Sequence, residues 1–559
     1  MSQHRNWESI GTVVGNTNTI EYSFILKSFK SRVGDIVAIR MRIPTENYES
    51  TKLVLVWGRI TTIDRFNPFF PFEAAQELSE NGVNLIDTVL SNSRDQLQAS
   101  VLVLGYTNEN DDKYSLFPVT YPIEPATEVL FPTTEAVSKL LQGERDIDNL
   151  YVGELISRND VSVTLRANPI VARHMAILSM TGGGKTVASR RVIRELAEKS
   201  YPLLIIDPHG DYLSLAENKD RFPKNKIKLF YPHLKISDKN EYLLKTLITK
   251  MTKGGLTEAQ HELFDMALER SPLADEMGVR EYIHKLDGII NSINDNRLNR
   301  SKGAVRRALR FVDNKLDAME RSNHQLRKRL EMFDFMELPD SAECPNDIIA
   351  PGQISILYLG GYDHLTQSTI VSIMMDQLFN HRASMTNRIP PFFTVIEEAH
   401  NFIPSHSEGQ ASTPSIESVR RMITEGRKFG TGLLLISQRP SRLDQTILSQ
   451  CNTFLILRLV NPKDQNFVRQ VMENLSESDA RMLPGFGPGQ GLISGQAVRF
   501  PLLVKIKMDT DLIPTTIGDE NFISQATNWN SSPEAQEVKK SKATIEFLER
   551  IKKSGKKRG

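Results

Sequence analysis

The stretch Met175-Ala-Ile-Leu-Ser-Met-Thr-Gly-Gly-Gly-Lys-Thr186 restricts what this 559-residue chain can fold into more than any other. Four apolar residues read as a short buried strand, the glycines as a tight turn, and residues 187–199 as a helix. A strand that ends in such a loop belongs to the ligand-facing edge of an α/β sheet. Gly182, Gly183 and Gly184 let backbone N–H groups close around phosphate oxygens at a helix N-terminus, where negative charge is favoured. Lys185 then reaches the terminal phosphates and the Thr186 hydroxyl suits Mg2+. Ser179 stands where such loops usually begin with glycine, and its small size makes it tolerable. Thr181 and Val187 complete the expected binding segment. A glycine-rich turn that binds nothing is the alternative, and the strand before it and helix after it argue against that.

Further short apolar runs at residues 202–206, 354–359, 392–396, 432–436 and 453–457 read as buried parallel strands, most of them separated by helical patterns. Two of them end in acids. Residues 392–400, Phe-Phe-Thr-Val-Ile-Glu-Glu-Ala-His, place Glu397 where it would orient Mg2+ and Glu398 where it would polarise an attacking water, so hydrolysis of ATP is expected. His400 either orients Glu398 or caps the strand. Asp207 and Asp211 flank a Pro-His-Gly turn, which makes Asp211 either an auxiliary water-positioning acid or part of an Asx-stabilised turn. Gln438 ends the strand at 432–436 and is suited to sensing the terminal phosphate. Arg427, between glycines 426 and 430, ranks first as an arginine inserted into a neighbouring subunit's site, and Arg173 second; surface or intrachain ion pairs are the alternative for both.

Ahead of this core, residues 11–14, 21–25, 35–41, 52–63 and 99–104 are β-rich and turn-separated, as in a small barrel or sandwich, with residues 81–97 an irregular or helical excursion. The domains expected are a barrel at 1–125, a first core segment at 126–236, a helical insertion at 237–338, a second core segment at 339–510 and a tail at 511–559. The basic stretch 297–329 is either a solvated helix face or a nucleic-acid or partner surface. The polar tail ends in Lys552, Lys553, Lys556, Lys557 and Arg558. A net charge of +1 decides nothing about DNA, because a ring can confine its basic surface to a channel. Apolar runs are too short to cross a bilayer, and Cys344 and Cys451 lie far apart without metal-ligand neighbours, so a cytoplasmic compartment without membrane contact is expected.

Arg173-His174, the glycine-rich loop, Asp207-Pro-His-Gly-Asp211, Glu397-Glu-Ala-His-Asn401, Glu425-Gly-Arg-Lys-Phe-Gly430 and Gln438-Arg-Pro440 follow one another in an order that resembles HerA, in the HerA/FtsK superfamily. The β-rich N-terminal region, including Val101-Leu-Val-Leu-Gly-Tyr106, is similar to that family's barrel. The resemblance implies a RecA-like P-loop ATPase core with an N-terminal β-barrel and a helical insertion. It also implies a homo-hexameric ring that threads double-stranded DNA, binds ATP between subunits, and docks an effector on its barrels: a NurA-type nuclease, or a sirtuin-like or other defence effector. Relatives often carry Gly at the position of Ser179 and Glu at that of Asp211. An ATP-regulated scaffold that controls an effector with little translocation is the competing reading; the loop at 402–415 after Glu398 is a candidate channel element by position alone.

Overall fold

The computed structural model describes residues 7–27, 29–45, 50–66, 96–109, 111, 114–142, 148–234, 242–252, 256–271, 279–329, 333–386, 388–405, 413–472, 475–510 and 527. Residues 1–509 form one compact unit. Of the second unit, 510–559, only Thr510 and Thr527 are described, so the basic end of the polar tail lies outside the described residues, as do most of the excursion at 81–97 and the centre of the loop at 402–415.

The N-terminal strands are β1 (Glu8–Val14), β2 (Glu21–Leu26), β3 (Ile36–Pro44), β4 (Thr51–Phe66), β5 (Gln96–Asn108) and β6 (Glu128–Phe131). They close into a barrel in the order β1-β2-β5-β4-β3-β6, with β6 pairing back to β1. Alternation drives the closure: Tyr22, Phe24 and Leu26 of β2 are buried while the residues between them are less so, and Val37, Ile39, Val54, Val56 and Val101 meet them inside. The closing strand lies beyond residue 125, so the barrel extends past the limit expected for it. Residues 96 and 97 belong to β5 rather than to an excursion.

The second layer is a 12-stranded sheet. Its strands are β7 (Asn149–Leu155), β8 (Ser162–Arg166), β9 (Met175–Leu178), β10 (Leu203–Asp207), β11 (Lys226–Tyr231), β12 (Phe335–Glu337), β13 (Gln353–Tyr358), β14 (Phe392–Ile396), β15 (Thr431–Ser437), β16 (Thr453–Ile456), β17 (Gln490–Gly495) and β18 (Leu502–Ile506). The order is β12-β11-β13-β10-β14-β15-β9-β16-β17-β18-β7-β8, parallel from β12 to β16 and antiparallel thereafter. This is the α/β core the sequence implies. β10, β14, β15 and β9 are buried along their whole length, which is why they read as unbroken apolar runs.

Helix α1 (Lys185–Glu198) follows the glycine-rich loop. The insertion consists of α2 (Tyr242–Met251), α3 (Glu258–Arg270), α4 (Val279–Ser292) and the 31-residue α5 (Asn299–Arg329). Leu247, Phe264, Tyr282, Leu286 and Leu309 share one apolar cluster with Leu204 and Leu357 of the sheet, so the insertion packs on the core. Much of its basic stretch is occupied internally: Arg306 pairs with Asp287 at 2.7 Å, Lys315 with Asp363 at 3.2 Å and Arg327 with Glu337 at 3.0 Å. Strand β12 falls inside the range read as helical; three residues are too few to show a period.

Barrel and sheet are joined by a buried ion pair. Arg59 of β4 donates through Nη2 to both carboxylate oxygens of Asp479, each at 2.8 Å, and the two residues are 1% and 2% exposed. Asp479 lies in the short helix Glu477–Met482, whose N-cap Ser476 donates to it at 2.8 Å. Among the described residues no helix is long and apolar enough to cross a membrane.

Candidate active site

The C-terminal ends of β9, β10, β14 and β15 converge, and the expected chemistry is gathered there. Gly182 (φ 76°) and Gly184 (φ 100°) hold backbone angles that side chains rarely adopt. A Cβ on Gly183 would stand 2.2 Å from Ser179 Oγ, so the serine hydroxyl fills space at the start of the loop and glycine is required opposite it. The loop is braced from outside by Gly489, whose N–H donates to Gly183 O at 3.1 Å, and by Arg458, whose carbonyl accepts from Met180 N at 2.9 Å.

Lys185 points into two acids. Its Nζ donates to Glu397 Oε1 at 2.7 Å and to Glu398 Oε1. Gln438 Nε2 donates to the same Glu398 oxygen at 2.6 Å, and the Gln438 carbonyl accepts from Thr181 Oγ1. Loop, β14 and β15 are thus tied by a single polar network. Burial works against the lysine's charge, but Glu397 and Glu398 outweigh it and raise the Lys185 pKa. Burial raises Glu397 as well, offset in part by Lys185.

Glu398 has φ 48°, a left-handed conformation that costs a non-glycine residue on the order of 1 kcal/mol. Its Oε2 is buried and accepts no hydrogen bond, with His400 Nδ1 3.3 Å away. His400 Nδ1 also lies 3.2 Å from Ser437 Oγ. Burial, opposed by Glu398, lowers the His400 pKa, so the ring is neutral at pH 7.

Asp207 organises the turn after β10. Its Oδ1 accepts from the N–H groups of His209, Gly210 and Asp211 at 3.2, 2.7 and 3.1 Å, and its Oδ2 from Tyr212 N at 2.9 Å. Burial lifts its pKa to about 7 against those donors. The Asx-type turn weighed as an alternative is therefore present, centred on Asp207. Asp211 sits in that turn, and its carbonyl accepts from Arg190 Nη2.

The two arginines lie elsewhere. Arg173 ends the helix Ala167–Arg173 before β9, and its Nη1 donates to Gln496 Oε1. Arg427 is exposed on the 3-10 turn Gly426–Lys428 before β15. Both stand at the N-terminal ends of strands whose C-terminal ends carry the site, and β15 alone spans about 20 Å. Tyr212, Ser189, Arg190 and Arg458 also border the site without belonging to any of the motifs above. Of these, Ser189 lay one turn beyond Thr186, a spacing that could have drawn notice.

The residues fit a Mg-nucleotide. The loop offers glycine N–H groups and Lys185 to phosphates, and Thr186 and Glu397 offer a hydroxyl and a carboxylate to a metal. Among the described residues no His, Cys, Asp and Glu group could hold a metal unaided. Mg2+ needs none, since it is bound through one or two carboxylates together with substrate phosphates.

Residues 150–378 match the family described as "Helicase HerA, central domain". Over 539 residues the chain is 27% identical to a probable helicase of Methanocaldococcus jannaschii, covering 93% of this chain and 96% of that one. It is 26% identical to the DNA double-strand break repair helicase HerA of Pyrococcus furiosus, covering 89% and 92%. A probable DNA double-strand break repair helicase HerA of M. jannaschii is 29% identical over 73% of this chain and 84% of its own. Among solved structures, VirB4 of Thermoanaerobacter pseudethanolicus is 14% identical with a TM-score of 0.44, over 66% of this chain and 98% of that one. With the P-loop and paired glutamates in place, the chain is a P-loop ATPase that matches the HerA central domain over residues 150–378 and is similar to HerA helicases along most of its length.

Proposed function

We propose that this ATPase is a translocase of double-stranded DNA that works as a homo-hexamer with Mg2+ and serves an effector protein in DNA end processing or antiviral defence. The observation that carries the reading is the placement of Arg173 and Arg427 at the sheet end remote from their own P-loop. A site completed by a neighbour's arginine couples ATP turnover around a ring, and Arg427, exposed ahead of β15, is the one assigned to the neighbour. The repair-helicase names of the relatives support duplex DNA as the track.

Thr186 and Glu397 would hold Mg2+, which neutralises developing charge on the transferred phosphoryl group. Lys185 leaves the carboxylates for the phosphates, which frees Glu398 to accept a proton from the attacking water. Gln438, bridging Thr181 and Glu398, carries the presence of the phosphate to that base. Asp211 stays beside the site on the turn that Asp207 holds, as an auxiliary acid.

Two measurements on the full chain test the reading: ATP hydrolysis with and without duplex DNA, and displacement of a protein roadblock from one DNA end. Stimulation by duplex together with ATP-dependent displacement is expected. Hydrolysis indifferent to DNA, without displacement, would overturn it in favour of a scaffold.

A further inference from the structure

Glu397 makes two hydrogen bonds through different oxygens. Oε1 accepts from Lys185, while Oε2 accepts from Tyr212 OH at 2.8 Å. The tyrosine is fully buried, and its hydroxyl also lies 2.7 Å from Ser189 Oγ, on the helix that Lys185 and Thr186 begin. Ser189 Oγ in turn lies 3.1 Å from the Thr186 carbonyl. Tyr212 itself is placed by its backbone N–H, which Asp207 Oδ2 accepts.

We infer that Tyr212 is a positioning residue for the metal site: its hydroxyl clamps Glu397 Oε2 and ties it, through Ser189, to the turn that carries Thr186. The inference rests on the reading of Glu397 and Thr186 as the residues that hold Mg2+.

An ionised carboxylate only accepts, so the tyrosine proton goes to Glu397 and the serine proton is left for the tyrosine oxygen or the Thr186 carbonyl. Burial first, and the Glu397 charge second, push the Tyr212 pKa well above its ordinary value, so it remains a donor throughout the working pH range. With Lys185 moved to phosphate, Oε1 would be free for a metal while Oε2 stays held by the phenol. One oxygen is thus anchored and the other is free to work. Without the phenol, Glu397 would keep its charge but lose the bond that fixes its orientation, and Oε2 would be buried without a donor.

Tyr212→Phe in the full-length protein separates these roles. Binding of a fluorescent, non-hydrolysable ATP analogue is titrated with MgCl2 and, separately, measured in EDTA. Loss of a hydrogen bond to a charged group predicts that half-saturating Mg2+ rises about tenfold, with affinity in EDTA unchanged. An unchanged Mg2+ titration overturns the inference, and so does an equal loss in both conditions, which marks a merely structural tyrosine. Should Tyr212→Phe fail to fold, Ser189→Ala carries the test: it leaves the Tyr212–Glu397 bond but removes its anchor on the helix. A rise of about threefold in half-saturating Mg2+ supports the clamp, and no rise overturns it. Wild-type binding that is itself indifferent to Mg2+ would instead overturn the reading of Glu397 on which the inference stands.

Discussion

Lys185 is shared between two carboxylates, so an incoming phosphate must compete with Glu397 and Glu398 for it. The competition has a direction. While the lysine and Gln438 both hold Glu398 Oε1, its two lone pairs are taken, so in the proposed mechanism that oxygen serves as a base only after the lysine departs. Glu398→Gln should bind nucleotide with wild-type affinity and lose turnover by at least about a hundredfold, the range typical of a removed general base. Equilibrium binding and phosphate release on the same preparation check this, and near-normal release would remove Glu398 from its role. Glu397, Glu398 and Gln438 were readable because each sits at the end of a short apolar run, and Thr181 and Lys185 because they belong to the glycine-rich loop that follows one. Tyr212 was not, because its link to Glu397 spans 185 residues of sequence and leaves no periodic trace.

At the scale of elements, one turn shows how the strand order is held. His174 joins the helix before β9 to that strand with φ 61°, and its Nδ1 accepts from Leu433 N of the adjacent β15 at 3.1 Å. The ring is 2% exposed, and burial lowers its pKa to about 4 from an ordinary 6.5. Its pKa is depressed on folding, so between these values the unfolded chain binds the proton and the folded chain does not. Its contribution is therefore complete above pH 6.5 and is lost as pH falls toward 4, by at most about 1.4 kcal/mol per pH unit and about 3 kcal/mol in all. His174→Asn keeps an acceptor for Leu433 and tolerates the left-handed angle without titrating. Denaturant unfolding from pH 7.5 to 5 should lose less stability in the variant than in wild type, and parallel curves would refute the assignment. The central strands were legible here because they are buried on both faces. Strand β11 was not: Lys-Ile-Lys-Leu-Phe-Tyr begins with alternating lysines and reads as surface. The basic stretch of α5 was ambiguous in sequence because its partners Asp287, Asp363 and Glu337 lie off the helix, where its own periodicity does not reveal them.

For the whole molecule, the barrel, core and insertion were legible as blocks, whereas their docking depends on pairs of residues far apart in the chain. Residues that meet only in an assembly are testable by mixing. Arg427→Ala retains its own Glu398, and Glu398→Gln retains its own Arg427. If the arginine serves a neighbour, equimolar mixing of the two inactive variants should restore activity at on the order of a quarter of the interfaces under random assembly. Steady-state ATPase of the mixture against each variant alone decides this, and no recovery would place Arg427 outside the neighbour's site. The buried Arg59–Asp479 pair bears on the same scale. Removing either partner would strand the other's charge in the interior at a cost of several kcal/mol, and with both present the two hydrogen bonds fix how the barrel meets the sheet. The helix that carries Asp479 leads into Leu483, whose carbonyl accepts from Leu459 N, one residue beyond the carbonyl of Arg458 that holds the P-loop at Met180. An effector docked on the barrel, as proposed, would thus be joined to the nucleotide loop through packed protein instead of a slack linker.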